Sequence, residues 1–157
     1  MMNEPQSRSI PLVPFSPRLP LHSMHLLLAD DDLDFLSLAA ESLRKDGYLV
    51  DEVSDGLELL RRSTADHLHA AGIDVIISDV LMPGASGMSM LMQINQMKSP
   101  PPVVMITGCR DTDVHLWAQQ LGAVAVFDKP FELDDLRTLL VNIEGYSKAH
   151  GGSYPMS

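Results

Sequence analysis

Five short apolar runs, each giving way to polar residues and then to a stretch of helical periodicity, constrain this chain more than any other feature. They are HLLLA (25–29), YLVDEVS (48–54), IDVIISD (73–79), PVVMIT (102–107) and AVAVF (123–127). Between them, apolar residues recur at three- and four-residue spacing. Phe35, Leu36, Ala39 and Leu43 mark a helix over 34–46 that stops at Gly47, and Leu57, Leu60, Thr64 and Leu68 line one side of a second that opens after Asp55-Gly56. A third spans about 86–98 and a fourth 112–121, ended by Gly122. The last carries Leu133, Leu136, Leu140 and Ile143, with Glu132, Asp134 and Asp135 at the positive end of its dipole. Five strands too apolar to face water alternate with five amphipathic helices, and the solution is an α/β fold with a parallel sheet covered on both faces. Right-handed crossovers leave few connections, and ligands of such sheets bind beyond the carboxyl ends of the strands.

The residues at those ends are therefore the candidates for function. The first strand runs into Asp30-Asp31-Asp32, the third ends at Asp79, the fourth at Thr107-Gly108, and the fifth at Asp128-Lys129-Pro130. Taken singly, each has a plain structural reading: an Asp after a strand is often a helix N-cap, a role that suits Asp32 or Asp34. In a parallel sheet, however, all these groups converge on one edge. Carboxylates from two strands, a hydroxyl and an ammonium would then surround one small space. Carboxylates so close raise one another's proton affinity unless a cation sits among them. Hard oxygens in that number suit Mg²⁺, which completes its octahedron with water, a carbonyl and phosphate oxygens. Lysine and threonine facing the same point would serve the remaining oxygens of a phosphoryl group, and a carboxylate can itself attack phosphorus to form an acyl phosphate.

Charge narrows the partners. Eleven basic against twenty-one acidic residues give a net charge of −10, which repels nucleic acid and anionic membrane and favours a cation or a basic protein patch. Cys109 is the sole cysteine, so no intrachain disulfide can form, and no apolar run approaches the roughly 18 residues that span a bilayer. A cytoplasmic protein is expected. Prolines at 5, 11, 14, 17 and 20 mark residues 1–23 as a flexible leader, residues 24–145 as the folded unit, and 146–157 as a flexible tail.

Together, LLLADDD, IISDVLMPGASG, VVMITG and VFDKPF, in that order, resemble the receiver domain of bacterial two-component response regulators of the stand-alone type. The resemblance implies a flavodoxin-like (CheY-like) fold with strand order 2-1-3-4-5 and five helices. It also implies roles. Asp79 would be the phospho-acceptor. Asp30 and Asp31 would hold Mg²⁺, Asp31 directly and Asp30 largely through water, with the backbone carbonyl of Leu81 as a further ligand. Thr107 would hydrogen-bond the phosphoryl group and Lys129 would pair with it, aimed inward by a cis bond before Pro130. Gly108 fits a position that stays small where phosphoryl donors pass. A histidine kinase or histidine phosphotransfer protein would supply the phosphoryl group. Because twelve residues after 145 are too few for a DNA-binding domain, output would go through a downstream protein docking on the face built from the fourth helix, the fifth strand and the last helix, through passing the phosphoryl group onward, or through a partner separated from this chain. The oligomeric state is left open.

Two positions depart from the family's pattern. Val126 stands where an aromatic residue usually swings inward with the threonine, and Phe127, one residue on, points to the opposite face of its strand. Leu81 and Cys109 occupy positions whose side chains influence loss of the phosphoryl group, and apolar Leu81 cannot orient an attacking water. Slow self-dephosphorylation is expected. Elsewhere, Met88, Met90, Met92 and Met97 read as core filling, Trp117 as lying at the edge of a stripe formed by Val114, Ala118 and Leu121, His67 and His69 as pointing to different sides, and Cys109 as inert. Two rivals remain. One is a degenerate receiver that acts as an unphosphorylated scaffold. The other is a Mg²⁺-dependent phosphatase of the haloacid dehalogenase type, although there the nucleophile follows the first strand and the acidic pair comes last.

Overall fold

The computed structural model describes residues 24–108, 111–151 and 154–155. The proline-rich leader over 1–23 and Cys109 lie outside the described residues. The chain runs β1 (His25–Ala29), α1 (Leu33–Lys45), β2 (Leu49–Val53), α2 (Gly56–Arg62), α3 (Ala65–Ala71), β3 (Val75–Asp79), α4 (Gly87–Asn95), β4 (Val103–Thr107), α5 (Thr112–Gln120), β5 (Ala125–Asp128) and α6 (Leu133–His150). All strand pairs are parallel, in the order β2-β1-β3-β4-β5. This is the flavodoxin-like order.

Strand alternation builds two cores. Leu26 and Leu28 of β1 face one layer, with Leu36, Ala39 and Leu43 of α1 and Leu136, Leu140 and Ile143 of α6. Leu27 and Ala29 face the other, with Leu59, Leu68, Met88, Met90, Leu91, Ile94 and Ala118 from α2 to α5. Each fully buried leucine or isoleucine contributes about 1.5–3 kcal/mol relative to exposure. Apolar residues on both faces of β1, β3 and β4 therefore place those strands in the middle of the sheet. Met92, by contrast, is exposed, as are Leu116 and Trp117 on α5.

The sheet follows expectation, but the helices differ in two ways. The second helix is two, so the described residues hold six rather than five. Thr64 caps α3, its hydroxyl accepting from the His67 amide at 3.3 Å. Gln93 of α4 donates to the carbonyls of Leu60 (3.1 Å) and Ser63 (2.9 Å), satisfying the freed end of α2. The break also rotates the stripe: Leu59 is buried, and Leu57 is exposed. The second difference lies at the chain's end. Helix α6 continues to His150 with Gly151 in the left-handed conformation as its cap, so residues 146–150, read from sequence as tail, are helical. Tyr146 stacks on His150 and meets Tyr154 edge-on, which extends the helix past Gly145. Among the described residues no helix is long and apolar enough to cross a membrane.

Candidate functional site

Strands β1 and β3 are neighbours with Ala29 opposite Ser78, so Asp30 leaves the sheet beside Asp79. Asp30 is fully buried and Asp79 nearly so, whereas Asp31 is exposed. One oxygen from each of the three carboxylates lies within 4.8 Å of the others. Asp32 and Asp34 stand apart from this cluster. Asp32 caps α1 by accepting from the Phe35 amide at 3.2 Å, and Asp34 lies in the helix's first turn.

Lys129 reaches the same space from the end of β5. Its Nζ lies 2.6 Å from Asp30 Oδ2 and 3.1 Å from Asp79 Oδ2. Its backbone amide donates to the Thr107 carbonyl at 2.8 Å, which ties it to the end of β4. The Lys129–Pro130 peptide is cis, as the resemblance implied. The other oxygen of each buried carboxylate accepts from a backbone amide: Asp30 Oδ1 from Asp32 at 2.8 Å, Asp79 Oδ1 from Leu81 at 2.9 Å. Both buried acids are thus paired and hydrogen-bonded, the condition under which buried charge is tolerated. The balance is still uneven. Burial lifts the Asp30 carboxyl above the usual range, and the charge of Asp79 adds to this despite the hydrogen bonds from Lys129 and the Asp32 amide. Burial would push the Lys129 ammonium down, but hydrogen bonds to Asp30 and Asp79, and their charges, more than reverse this and raise it. The cluster is short of positive charge, and hard oxygens in this arrangement could hold a divalent cation.

Two glycines differ in what they do here. A Cβ on Gly87 would lie 2.1 Å from the Asp79 carbonyl oxygen, so only glycine lets α4 start against the backbone of the acidic strand. Among the described residues, a Cβ on Gly108 would meet nothing within 4 Å.

Every residue expected at the strand ends, Asp30, Asp31, Asp79, Thr107 and Lys129, is at this edge; Thr107 is fully buried there, paired in register with Asp128. Two contributors were missed, Phe35 and His115. Phe35, read only as a core position of the first helix, presents its ring to Lys129, with Nζ 4.7 Å from the centroid. Leu81, expected at the site for its carbonyl, also donates its amide to Asp79. His115 of α5 hydrogen-bonds Asp128 at 2.7 Å beside Lys129. The signal for Phe35 was its place one turn after the acidic run. For His115 no local pattern existed, because its partner is brought near only by the fold. Val126 and Phe127 do face opposite layers, Val126 against the α2–α5 side and Phe127 stacked on Phe131 on the α1–α6 side.

A doubly wound sheet of this order, with acids after β1 and β3 and a lysine after β5 gathered at one edge, has the architecture of a signal-receiving α/β domain. The chain belongs to the response regulator receiver domain family, whose profile matches residues 26–141. It is 32% identical over 118 residues to the transcriptional regulatory protein FixJ of Bradyrhizobium diazoefficiens, covering 74% of this chain and 54% of FixJ. It is also 32% identical over 113 residues to the DNA-binding regulator NtrC of Klebsiella pneumoniae, covering 72% of this chain and 23% of NtrC. The chain therefore matches about half of FixJ and under a quarter of NtrC. Among solved structures, a receiver domain from Clostridium thermocellum shares 31% identity at a TM-score of 0.72, covering 81% of this chain and 98% of that one. A Burkholderia pseudomallei response regulator, described with a phosphorylated aspartic acid and a calcium ion, shares the fold at a TM-score of 0.66 and 20% identity, over 82% of this chain and 73% of its own. Family membership leaves the haloacid dehalogenase reading without support.

Proposed function

We propose that Asp79 accepts a phosphoryl group from a histidine kinase or histidine phosphotransfer protein, with Mg²⁺ held by Asp30, Asp31, Asp79 and the Leu81 carbonyl, and that the modified domain signals through a changed protein-binding surface. The observation that carries this reading is the gathering of three carboxylate oxygens within 4.8 Å, with the Lys129 ammonium 3.1 Å from Asp79. The donor set fits the ion: all oxygen, few protein ligands, and one exposed side open to water and phosphate. Mg²⁺, when bound, neutralises the carboxylates and the oxygens of the incoming phosphoryl group.

This chain's own residues do the rest. The Leu81 amide fixes the rotation of the Asp79 carboxylate. An Asp79 oxygen attacks phosphorus, the bond to the donor nitrogen or oxygen breaks, and the bonding pair leaves with the donor. Lys129 exchanges its contact with Asp79 for a phosphoryl oxygen, and Thr107, at the end of β4, donates its hydroxyl to another. The added charge of about −1.5 to −2 then biases the surface of α5, β5 and α6. Leu116 and Trp117 of α5, each 51% exposed, support that face as a partner site, tryptophan being a frequent anchor of interfaces.

Val126 favours a second reading, an unphosphorylated scaffold, because its side chain packs against the core and supplies no swinging aromatic. Incubation with Mg²⁺ and a small acyl phosphate decides. An adduct mapped to Asp79 supports the receiver; a folded, Mg²⁺-treated protein without adduct supports the scaffold. The adduct should be long-lived, because Leu81 lies 64% exposed beside the acceptor and offers no polar group to a water. Leu81→Asn is expected to shorten the lifetime several-fold, measured as loss of label over time. A lifetime equal to wild type would refute that role for Leu81.

A further inference from the structure

We infer that Phe35 is a positioning residue for Lys129, a ring platform that keeps the ammonium in the site once its carboxylate partners are claimed. The inference rests on the phospho-acceptor reading above. In the structure the ammonium has Asp30 and Asp79 on one side and the face of Phe35 on another, 4.7 Å from the centroid. The ring is not free to wander. Phe35 sits in the first turn of α1, its amide accepted by Asp32, and its ring meets Phe131 edge-on at 5.9 Å, which in turn stacks on Phe127 at 5.3 Å.

Both carboxylates that hold Lys129 are needed elsewhere in the reaction. A divalent cation drawn to Asp30, Asp31 and Asp79 weakens their attraction for the ammonium and repels it directly. A lysine is a strongly hydrated charge on a flexible four-carbon stem, and with no other partner it would turn to solvent. The negative face of an aromatic ring attracts a cation without carrying a charge that a metal can claim. The ammonium can therefore yield the carboxylates to the ion and still wait beside the place where the phosphoryl oxygen arrives. An aliphatic residue at position 35 would fill the same core space and lack this attraction.

Mg²⁺ titration by calorimetry tests this on the full chain. Phe35→Leu is expected to bind Mg²⁺ about three- to tenfold more weakly, the range a partly desolvated cation–π contact implies, because the ring's attraction no longer offsets the cost of moving the ammonium off the carboxylates. Phe35→Tyr, which keeps the ring, restores wild-type affinity. In a Lys129→Met background the Phe35→Leu change has no further effect. In the nuclear magnetic resonance spectrum, ring-current shifts of the Lys129 ε-methylene persist when Mg²⁺ is added to the wild type and vanish in Phe35→Leu. Far-ultraviolet circular dichroism establishes that each variant is folded, and Phe35→Tyr keeps the test open if Phe35→Leu is not. Equal Mg²⁺ affinity in Phe35→Leu and wild type overturns the proposal. So does the same loss in the Lys129→Met background, or collapse of the ring-current shift on adding Mg²⁺. A wild type that shows the coupling but takes no phosphoryl group on Asp79 would instead sink the phospho-acceptor reading alone.

Discussion

Asp79→Asn is expected to abolish labelling by a small acyl phosphate completely, and to make the unliganded protein more stable. The first effect follows from chemistry: an amide cannot attack phosphorus to form an acyl phosphate. The second follows from charge. Three carboxylates share this space, with Lys129 bridging the two buried ones. Burial is the main cause of the raised proton affinity of Asp30, and the charge of Asp79 adds to it, so removing that charge relieves a repulsion. The substituted side chain still offers an oxygen to the Leu81 amide, and the Lys129 ammonium, which its amide nitrogen cannot accept from, keeps its 2.6 Å contact with Asp30. A gain of about 1 kcal/mol in urea unfolding without Mg²⁺ is expected. Added Mg²⁺ should erase the gain, since only a site with its acids intact gains binding free energy from the ion. A variant that still labels, or that is less stable without Mg²⁺, would contradict this account.

Gly87→Ala should be the most damaging small substitution in the domain's site. Its Cβ would fall 2.1 Å from the Asp79 carbonyl oxygen, 2.9 Å from the Met105 methyl and 3.0 Å from the Ser78 hydroxyl. The methyl and hydroxyl can turn aside, but the carbonyl is backbone of a central strand and cannot. The start of α4 must move outward, losing the Gly87 amide's 2.8 Å bond to the Val80 carbonyl. Overpacking of this kind costs about 3 kcal/mol, corresponding to a fall of roughly 10 °C in Tm. Gly108→Ala is the control: with nothing among the described residues within 4 Å of its Cβ, it should change stability by less than about 0.5 kcal/mol. Thermal unfolding of the two variants side by side checks both.

These cases mark what could be read from the chain alone. The strands and the acids at their ends were legible because each apolar run stops abruptly at a charge, and a parallel sheet sends all such stops to one edge. The motif IISDVLMPGASG was legible, but only the structure supplies the physical reason for Gly87, the close approach of α4 to the Asp79 carbonyl. The break between α2 and α3 was hidden because Ser63 and Thr64 can sit within a helix or cap one, and Gln93, thirty residues away, supports the break. The exposure of Leu57 was lost with it. Phe35 showed its core role in the periodicity. Its contact with Lys129, from the far end of the domain, is a product of the fold.

The pairing of Ala29 with Ser78 has a further consequence. The distance between the two buried acids is set by hydrogen-bonded backbone in the middle of the molecule, not by any loop. Connections around the site can therefore lengthen, change sequence or fluctuate without separating Asp30 from Asp79. Parting them requires the central strands to separate, an opening as costly as unfolding the domain. The chemistry is thus insulated from drift at the surface, and the surrounding loops are left free to specialise in whom the domain meets.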